Sequence, residues 1–399
     1  MNIRIHKGVA RGAIDIPKSK SIAHRLLILA GLAEGKSYIS KVPVCDDVDA
    51  TLKSLSALGA KVKRVGEDVE ICGISTKKRD TGVCLWANES GSTLRFLIPI
   101  VLLLGGGGEI VCKSALLKRP LTVFDEIFPS CITKKEGSVF VNGALTGGEY
   151  RVRGDVSSQF ISGLLFALPL CENDSRIVIT TPLESRSYIN LTIDALSKFG
   201  ARAIWENENT IFIPKNQVYK PITCEVEGDY SAGAFIEAFN YLGGEVLAGG
   251  LSDTSLQGDR VYRDYFEKLK DKNAELDISD CPDNAPMLFA LSAYLNGGVF
   301  LGTRRLKIKE SDRALAMQSE LSKLGADITI NENSVIIKKV DLHPPISPID
   351  THNDHRIAMA MGVLLTKFGG DMYNCEVVKK SYPQFWLDIT KLGIVIEEI

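Results

Sequence analysis

A short phrase that recurs along the chain constrains its fold more than any other feature. It reads Leu-Ser-x-x-Gly-Ala and occurs at residues 55–60, 196–201 and 321–326, with a weaker form at 389–394. The glycine lies where a helix commonly ends in a left-handed residue. Alternating β-branched residues follow, with turn residues at 206–209 and 331–334, and they predict hairpins over 203–214 and 327–338.

We therefore predict a repeated unit made of helix, glycine stop, strand, turn and strand. The spacing of the marked copies leaves room for unmarked copies near residues 131–143 and 268–277. Six units of about 70 residues would fill the chain, and units of that length group into domains rather than a solenoid. The prediction is an α/β fold of two domains, which suits 399 residues.

Composition restricts the classes of function. The chain has 47 basic and 49 acidic residues and a net charge of −2, which argues against a nucleic-acid partner and makes basic clusters local sites. Nine cysteines without a CxxC pair are expected to be reduced and mostly buried. The longest apolar run, 96–104, is too short for a bilayer, and residues 1–10 lack a signal-peptide core. We expect a cytoplasmic protein that does not contact a membrane.

Cations and hydroxyls precede the apolar residues 26–33. The set is Lys18, Ser19, Lys20, Ser21, His24 and Arg25. A helix N-terminus is electropositive and disfavours cations there by about 0.3 to 1 kcal/mol each, whereas its free N–H groups bind anions. A solvated basic turn would explain this segment equally well. The alternative is a site for a negatively charged ligand.

Four further segments place anion-binding groups before apolar helices. They are Glu-Ser-Gly-Ser-Thr-Leu-Arg at 89–95, Ser-Ser-Gln-Phe at 157–160, Lys-Glu-Ser-Asp-Arg at 309–313 and Asn-Asp-His-Arg at 353–356. Helix capping or surface ion pairs could explain each one alone. Five such helix starts in a nearly neutral chain favour convergence on one polyanionic pocket. Arg119, Arg313 and Arg356 would bind carboxylate or phosphate as planar forks, with Lys20 and Lys380 as point charges.

Three other interpretations fail on spacing. His352 and His355 lack accompanying ligands for a metal site. The glycines at 105–108 lack the lysine of a phosphate-binding P-loop. The acidic residues Asp46, Asp47 and Asp49 fit helix capping better than catalysis.

On these motifs the chain resembles the 5-enolpyruvylshikimate-3-phosphate synthase family along essentially its whole length. Further matching segments are Leu-Lys-Arg-Pro-Leu at 117–121, Ser-Arg-Ser-Tyr at 185–188, Glu-Gly-Asp-Tyr-Ser at 227–231, Pro-Asp-Asn-Ala-Pro at 282–286 and Lys-Ser-Tyr-Pro at 380–383. The resemblance implies two domains of three βαβαββ units each, with helix N-termini facing an interdomain cleft that holds the active site. Domain I would comprise 1–16 plus 229–399 and domain II 17–228, with hinges near 16–20 and 226–229.

The implied reaction transfers the enolpyruvyl group of phosphoenolpyruvate to the 5-hydroxyl of shikimate 3-phosphate and releases phosphate, on the shikimate pathway to chorismate and aromatic amino acids. Carried over by position, shikimate 3-phosphate would contact Lys20, Ser21, Arg25, Ser157, Ser158, Gln159, Ser185, Tyr188, Asp283 and Lys309. Phosphoenolpyruvate would contact Lys20, Gly91, Arg119, Gln159, Arg313, Arg356 and Lys380. The resemblance implies no cofactor and no metal, and we expect a monomer.

The chemistry needs a base on the attacking hydroxyl and an acid that protonates the methylene carbon. We assign Asp283 as the base and Glu310 as the acid, with Lys20 assisting. The chain departs from the common family pattern at Lys18, Glu89 and Arg305. The charges of Lys18 and Glu89 could alter affinity for phosphoenolpyruvate or for its analogue glyphosate.

Two alternatives stay open at this point. The related UDP-N-acetylglucosamine enolpyruvyl transferase shares the fold and the donor, but it pairs its early lysine with asparagine and carries a reactive loop cysteine. Here Ser21 follows Lys20, and Cys112 lacks a glycine-rich setting. The second alternative is a non-catalytic anion-binding protein with the same fold.

Overall fold

The computed structural model describes residues 1–74 and 82–399, which form two compact units. Unit 1 comprises Met1–Pro17 and Gly228–Ile399, and unit 2 comprises Lys18–Glu227. Each unit encloses a hydrophobic core of its own. That substrates bind in a cleft stays a prediction.

Helices and short strands alternate along the described residues. The helices are α1 (Lys20–Leu32), α2 (Asp46–Ala57), α3 (Gly91–Leu104), α4 (Ser114–Leu117), α5 (Thr122–Ile127), α6 (Ser158–Ala167), α7 (Arg186–Lys198), α8 (Tyr230–Glu237), α9 (Tyr262–Lys268), α10 (Ala285–Tyr294), α11 (Arg313–Ser322), α12 (His355–Phe368) and α13 (Phe385–Lys391). The strands are β1 (Ile3–Ile5), β2 (Arg11–Asp15), β3 (Lys36–Ser40), β4 (Lys61–Val65), β5 (Asp68–Cys72), β6 (Val83–Asn88), β7 (Gly108–Cys112), β8 (Ile132–Lys135), β9 (Ser138–Val141), β10 (Glu149–Val152), β11 (Ser175–Ile179), β12 (Ile204–Asn207), β13 (Thr210–Ile213), β14 (Thr223–Glu225), β15 (Glu245–Gly249), β16 (Glu275–Asp277), β17 (Gly297–Leu301), β18 (Asp327–Ile330), β19 (Ser334–Lys338), β20 (Ile349–Asp350), β21 (Gly370–Tyr373) and β22 (Ile396–Glu398).

The sheets repeat one topology. In the described residues, five four-stranded sheets have the orders β6-β7-β9-β8, β10-β11-β13-β12, β14-β3-β5-β4, β16-β17-β19-β18 and β20-β21-β1-β22. In each, the first two strands are parallel and the other neighbours antiparallel, which is the βαβαββ pattern. The predicted α/β repeat is confirmed, and the copy near 131–143 is the hairpin of β8 and β9.

The copy predicted near residues 268–277 is wrong. Helix α9 ends at Lys268, and the strand that follows, β16, pairs in parallel with β17 and so begins the next sheet. The preceding strands β2 and β15 form a two-stranded parallel pair. No glycine phrase marks this segment, and no hairpin closes this unit within the described residues.

The glycines of the recurring phrase end their helices, as predicted. Gly59, Gly200, Gly325 and Gly393 have φ between 82° and 97°, a conformation that glycine adopts without a Cβ clash. In each case the amide after the glycine donates to the carbonyl five residues earlier, as Ala60 does to Leu55 at 3.0 Å and Ala201 to Leu196 at 2.9 Å. Four helices therefore end in the same Schellman-type turn. A hairpin follows the first three turns, whereas the single strand β22 follows Gly393.

Apolar helices form the centre of each unit. Nearly every residue of α3 is buried. Helix α6 packs closely against α3 because Gly163 has no side chain; a Cβ there would lie 2.4 Å from the carbonyl oxygen of Arg95. Phe96 and Phe166 meet edge to face across these helices, with ring centroids 5.0 Å apart. In unit 1, α10 and α12 are buried in the same manner. All nine cysteines are free and five are buried, as composition predicted.

Candidate active site

All five cation or hydroxyl segments lie at helix N-termini, as predicted. Unit 2 contributes the starts of α1, α3 and α6, whose N-caps are Ser19, Ser90 and Ser157. Unit 1 contributes the starts of α11 and α12, capped by Asp312 and Asp354. Amides without helical partners are therefore available beside each segment.

In unit 2, Gly91 lies among the groups predicted to bind phosphoenolpyruvate. A Cβ built on Gly91 would lie 3.1 Å from Nη1 of Arg119 and 3.3 Å from Oε1 of Gln159. Arg95 donates from Nη1 to Gln159 Oε1 at 2.6 Å, and the Gln159 amide nitrogen donates to Ser92 Oγ at 3.0 Å. Two guanidinium groups and a fixed carboxamide thus surround an amide-rich helix start, an arrangement suited to an anion.

Lys20 forms an ion pair with Asp47. Its Nζ lies 2.8 Å from Asp47 Oδ2, and the two side chains are only 16% and 13% exposed. The backbone carbonyl of Asp47 accepts from Thr93 Oγ1 at 3.4 Å, which places this pair beside the start of α3. This contact of Asp47 with Lys20 was not predicted from the sequence. The capping prediction is wrong, because Cys45 is the N-cap of α2 and makes no side-chain capping hydrogen bond.

Arg25 is buried at 3% exposure and ties together residues predicted for shikimate 3-phosphate. It donates to the carbonyl of Ser21 at 2.7 Å, to the carbonyl of Tyr188 at 2.8 Å and to Thr192 Oγ1 at 2.9 Å. Burial lowers the pKa of Arg25 to about 10. The guanidinium is therefore still charged at neutral pH and braces α1 against α7.

The serines predicted for the same ligand also lie at helix starts. Ser157 Oγ accepts the Gln159 amide at 3.3 Å and caps α6, whereas Ser158 is the first helical residue and is buried. Capping accounts for one of the two hydroxyls. Ser185 is the N-cap of α7, is buried and has φ of 58°, a left-handed conformation unusual for serine.

In unit 1, three cations converge on the carboxylate of Asp283. Arg313 Nη1 lies 2.8 Å and Lys309 Nζ 3.2 Å from Oδ1, while Arg356 Nη2 lies 2.8 Å from Oδ2. Burial opposes the charge, but Arg356, Lys309 and Arg313 outweigh it and hold the pKa of Asp283 well below its usual range. Burial lowers the pKa of Lys309. The predicted base is thus ionised and tightly paired.

Arg313 is the centre of this cluster and is 1% exposed. Besides Asp283 it donates to Glu310 Oε2 at 2.7 Å and to Asp354 Oδ2 at 2.9 Å. Burial alone would lower its pKa, yet the carboxylates of Asp354, Glu310 and Asp283 raise it above the ordinary value. The same contact with Arg313 outweighs burial and lowers the pKa of the fully buried Asp354. The sequence motif contained Asp354, but its role as the partner of Arg313 was missed.

Lys380 and Arg305 lie near the ends of short 3₁₀ helices rather than at α-helix starts. Lys380 donates from Nζ to the carbonyl of Asn353 at 2.8 Å, which places it beside the start of α12. Arg305 is buried and donates to the carbonyl of Ser279 at 2.8 Å. The structure therefore brings together Asp283, Lys309, Glu310, Arg313, Arg356 and Lys380 in unit 1.

The family model described as EPSP synthase (3-phosphoshikimate 1-carboxyvinyltransferase) matches residues 6–389. The chain belongs to the EPSP synthase family. It is 39% identical to the 3-phosphoshikimate 1-carboxyvinyltransferase of Clostridium beijerinckii, over 100% of this chain and 98% of that one. It is 40% identical to the protein of the same name from Clostridium kluyveri, over 99% and 98%.

Solved structures of EPSP synthase from Acinetobacter baumannii have the same fold, with a TM-score of 0.79 at 21% identity over the full length of both chains. The predicted fold class is confirmed. Within residues 1–74 and 82–399, no three or more His, Cys, Asp or Glu side chains are grouped so that they could hold a metal ion. None of the helices in the described part of the chain has the length and apolar character of a bilayer-spanning segment.

Proposed function

We propose that this chain transfers the enolpyruvyl group of phosphoenolpyruvate to the 5-hydroxyl of shikimate 3-phosphate and releases phosphate, on the pathway to chorismate. One observation carries the proposal. The carboxylate of Asp283 is bound by both Arg313 and Arg356 in a chain that belongs to the EPSP synthase family. A pair of buried guanidinium groups on one carboxylate is suited to a ligand such as phosphoenolpyruvate.

In this proposal phosphoenolpyruvate is bound mainly by cationic side chains. Arg313 and Arg356 hold its carboxylate, and the remaining contacts come from Lys20, Gly91, Arg119, Gln159 and Lys380. Support comes from the cluster at the start of α3, where the side chains of Arg119 and Gln159 lie close to the backbone of Gly91. Bidentate guanidinium contacts give both affinity and orientation for a planar carboxylate.

Shikimate 3-phosphate is bound by hydroxyls, amides and cations. The proposed set is Lys20, Ser21, Arg25, Ser157, Ser158, Gln159, Ser185, Tyr188, Asp283 and Lys309. The starts of α1, α6 and α7 each carry serine residues beside helix N-terminal amides, which suit the phosphate group of this ligand. Tyr188 would lie against the carbon ring.

The proposed chemistry has two steps. Asp283 takes the proton from the 5-hydroxyl as the hydroxyl oxygen bonds to C2 of phosphoenolpyruvate. Glu310, which pairs with Arg313 as a carboxylate before the ligand binds, has to carry a proton at this stage; it protonates C3, and Lys20 balances charge. The ionised Glu310 then removes a proton from C3 as the bond from C2 to the phosphate oxygen breaks. The double bond re-forms, and phosphate leaves with the proton that Asp283 took from the hydroxyl, so both carboxyl groups return to their starting states.

The ion pairs of Asp283 bear on its role as a base. When the ligand carboxylate takes up Arg313 and Arg356, Asp283 loses two of the cations that lower its pKa. Its pKa then moves back toward the ordinary value, and the carboxylate becomes a better proton acceptor. Binding of one substrate would thus activate the base that the other substrate needs.

Phosphate release tests the proposal. Purified protein is incubated with phosphoenolpyruvate and either shikimate 3-phosphate or UDP-N-acetylglucosamine, and inorganic phosphate is followed. Release that depends on shikimate 3-phosphate supports the proposal. Release with the sugar nucleotide would indicate the related transferase, and release with neither would indicate an anion-binding protein. A cytoplasmic monomer without cofactor belongs to the same proposal, and dialysis against a chelator before the assay checks the last point.

A further inference from the structure

A buried carboxylate outside the proposed site joins helix α11 to the loop before α12. Glu320, near the C-terminal end of α11, is 1% exposed. It accepts from Lys323 Nζ at 2.6 Å, from His352 Nε2 at 2.8 Å and from the Asp350 amide at 2.9 Å. Burial opposes its charge, but the bonds from His352 and Lys323 outweigh burial and lower the pKa of Glu320. The carboxylate therefore stays ionised, and these hydrogen-bond donors offset the cost of burying its charge.

The loop that Glu320 holds has an unusual backbone. His352 and Asn353 have φ of 51° and 54°, so two consecutive residues that are not glycine are left-handed. The amide of His352 donates to Asp350 Oδ1 at 2.9 Å, which closes a tight turn at the end of β20. Such a backbone persists only where surrounding contacts hold it.

Two acceptor groups of the same loop bond to cations of the proposed site. The carbonyl of Asn353 accepts from Lys380, and the carboxylate of Asp354 accepts from Nε of Arg313 at 2.9 Å. Arg313 is the first residue of α11, two turns before Glu320. Helix α11 therefore bonds to the loop at two points, through Arg313 at its start and through Glu320 near its end.

We propose that His352 is a positioning residue, which acts through Glu320 to hold the loop of residues 350–354 so that Arg313, Arg356 and Lys380 are set for phosphoenolpyruvate. This inference rests on the proposed function, because it takes those three cations as the phosphoenolpyruvate site. His352 touches no substrate in this scheme. Its contribution is the geometry of the groups that do.

The contact depends on pH. Charged groups face His352 from two elements, Glu320 and Lys323 on the α11 side and Asp350 on β20. The hydrogen bond to Glu320 is the main cause that raises the pKa of His352. Because the pKa is raised on folding, the charged pair is complete below the unfolded value of about 6.5 and weakens as pH rises through the folded pKa.

The test compares KM for phosphoenolpyruvate in the wild type and in His352→Gln from pH 5.5 to 9. Glutamine keeps a neutral donor and does not titrate, so the ratio of the two KM values cancels the titration of the substrate. We expect His352→Gln to have a KM about 3- to 10-fold above wild type at low pH, falling to equality at high pH, with kcat nearly unchanged. His352→Phe, which lacks a donor, raises KM at every pH.

A KM ratio for His352→Gln that stays the same across this range overturns the inference, and this comparison holds even if His352→Phe does not fold. The exposed His343, whose Nδ1 lies 2.8 Å from the carbonyl oxygen of Pro344, provides the control His343→Gln, which leaves the profile unchanged. Arg356→Lys separates the two proposals. If it raises KM while His352→Gln does nothing, the inference fails and the proposed function stands, whereas absence of any turnover in the wild type overturns the function itself.

Discussion

Arg313 and Arg356 hold one carboxylate between them, that of Asp283, at 2.8 Å each. Both arginines come from the first turns of their helices, α11 and α12, so the protein presents an acid of its own to two helix N-termini. Without substrates, Asp283 thus takes the place proposed for the carboxylate of phosphoenolpyruvate. An entering ligand has to compete with it or share the guanidinium groups.

Asp283→Asn removes that competition. We expect phosphoenolpyruvate to bind the variant several-fold more tightly in a calorimetric titration, because two charge-assisted bonds become available. Turnover falls at the same time, by about 100-fold or more, because the proposed base is lost. Weaker binding together with normal turnover would contradict both the competition and the role as base. The exposed Asp341 supplies the control Asp341→Asn, which changes neither quantity.

The stability of unit 1 should fall in acid. The pKa values of Asp283 and Asp354 are lowered on folding, so their ionised forms stabilise the fold above the unfolded value of about 3.9. That stabilisation is lost as pH falls through the folded pKa values. Urea unfolding from pH 7 to 3 checks this, and the gap in midpoint between wild type and Asp283→Asn should shrink below pH 4. A difference in midpoint that widens in acid would contradict the predicted direction of the pH dependence.

Glu310→Gln tests the proposed carbon acid. Glutamine keeps an acceptor for Arg313, which now donates to Glu310 at 2.7 Å, but it cannot deliver a proton. We expect kcat to fall about 100- to 10,000-fold with little change in melting temperature. The control Glu332→Gln alters an exposed turn residue, 84% accessible. Unchanged turnover in Glu310→Gln would remove this residue from the mechanism.

Gly91→Ala tests the crowded start of α3. The added methyl would lie 2.9 Å from Nη1 of Arg95 and 3.1 Å from Nη1 of Arg119, so the guanidinium groups have to shift. We expect KM for phosphoenolpyruvate to rise about 10-fold, since overpacking costs about 1 to 3 kcal/mol. In Gly66→Asn, a control in an open turn at φ of 62°, KM should not change. Equal KM values in both variants would indicate that phosphoenolpyruvate does not bind beside Gly91.

Local signals in the sequence predicted the helix starts and the glycine stops. Gly59 and Gly325 follow a helix end and precede alternating residues, so a few neighbours determine the turn. The hairpin predicted near 268–277 had no such glycine, and the chain there enters β16 instead. Both unmarked copies were predicted from spacing alone, and of the two only the hairpin near 131–143 is present.

The ion pairs and hydrogen bonds between side chains of the site could not be read from the sequence. Asp47 lies 27 residues from Lys20, Gln159 lies 64 from Arg95 and Asp354 lies 41 from Arg313. Which acid meets which cation depends on how distant helices pack, and the resemblance named residues without naming their partners. The roles of Asp283 and Glu310 stay predictions until the variants are measured.

The place of β1 in its sheet also has a consequence for biosynthesis. Residues 3–5 lie between β21 and β22, and Arg4 meets Asp371 across 367 positions of the chain. Unit 2 is one continuous stretch that can collapse while the ribosome is still translating the rest. Strand β1 cannot pair with β22 until residues 396–398 have been synthesised, so the sheet of unit 1 is completed only after all of unit 2 has been made.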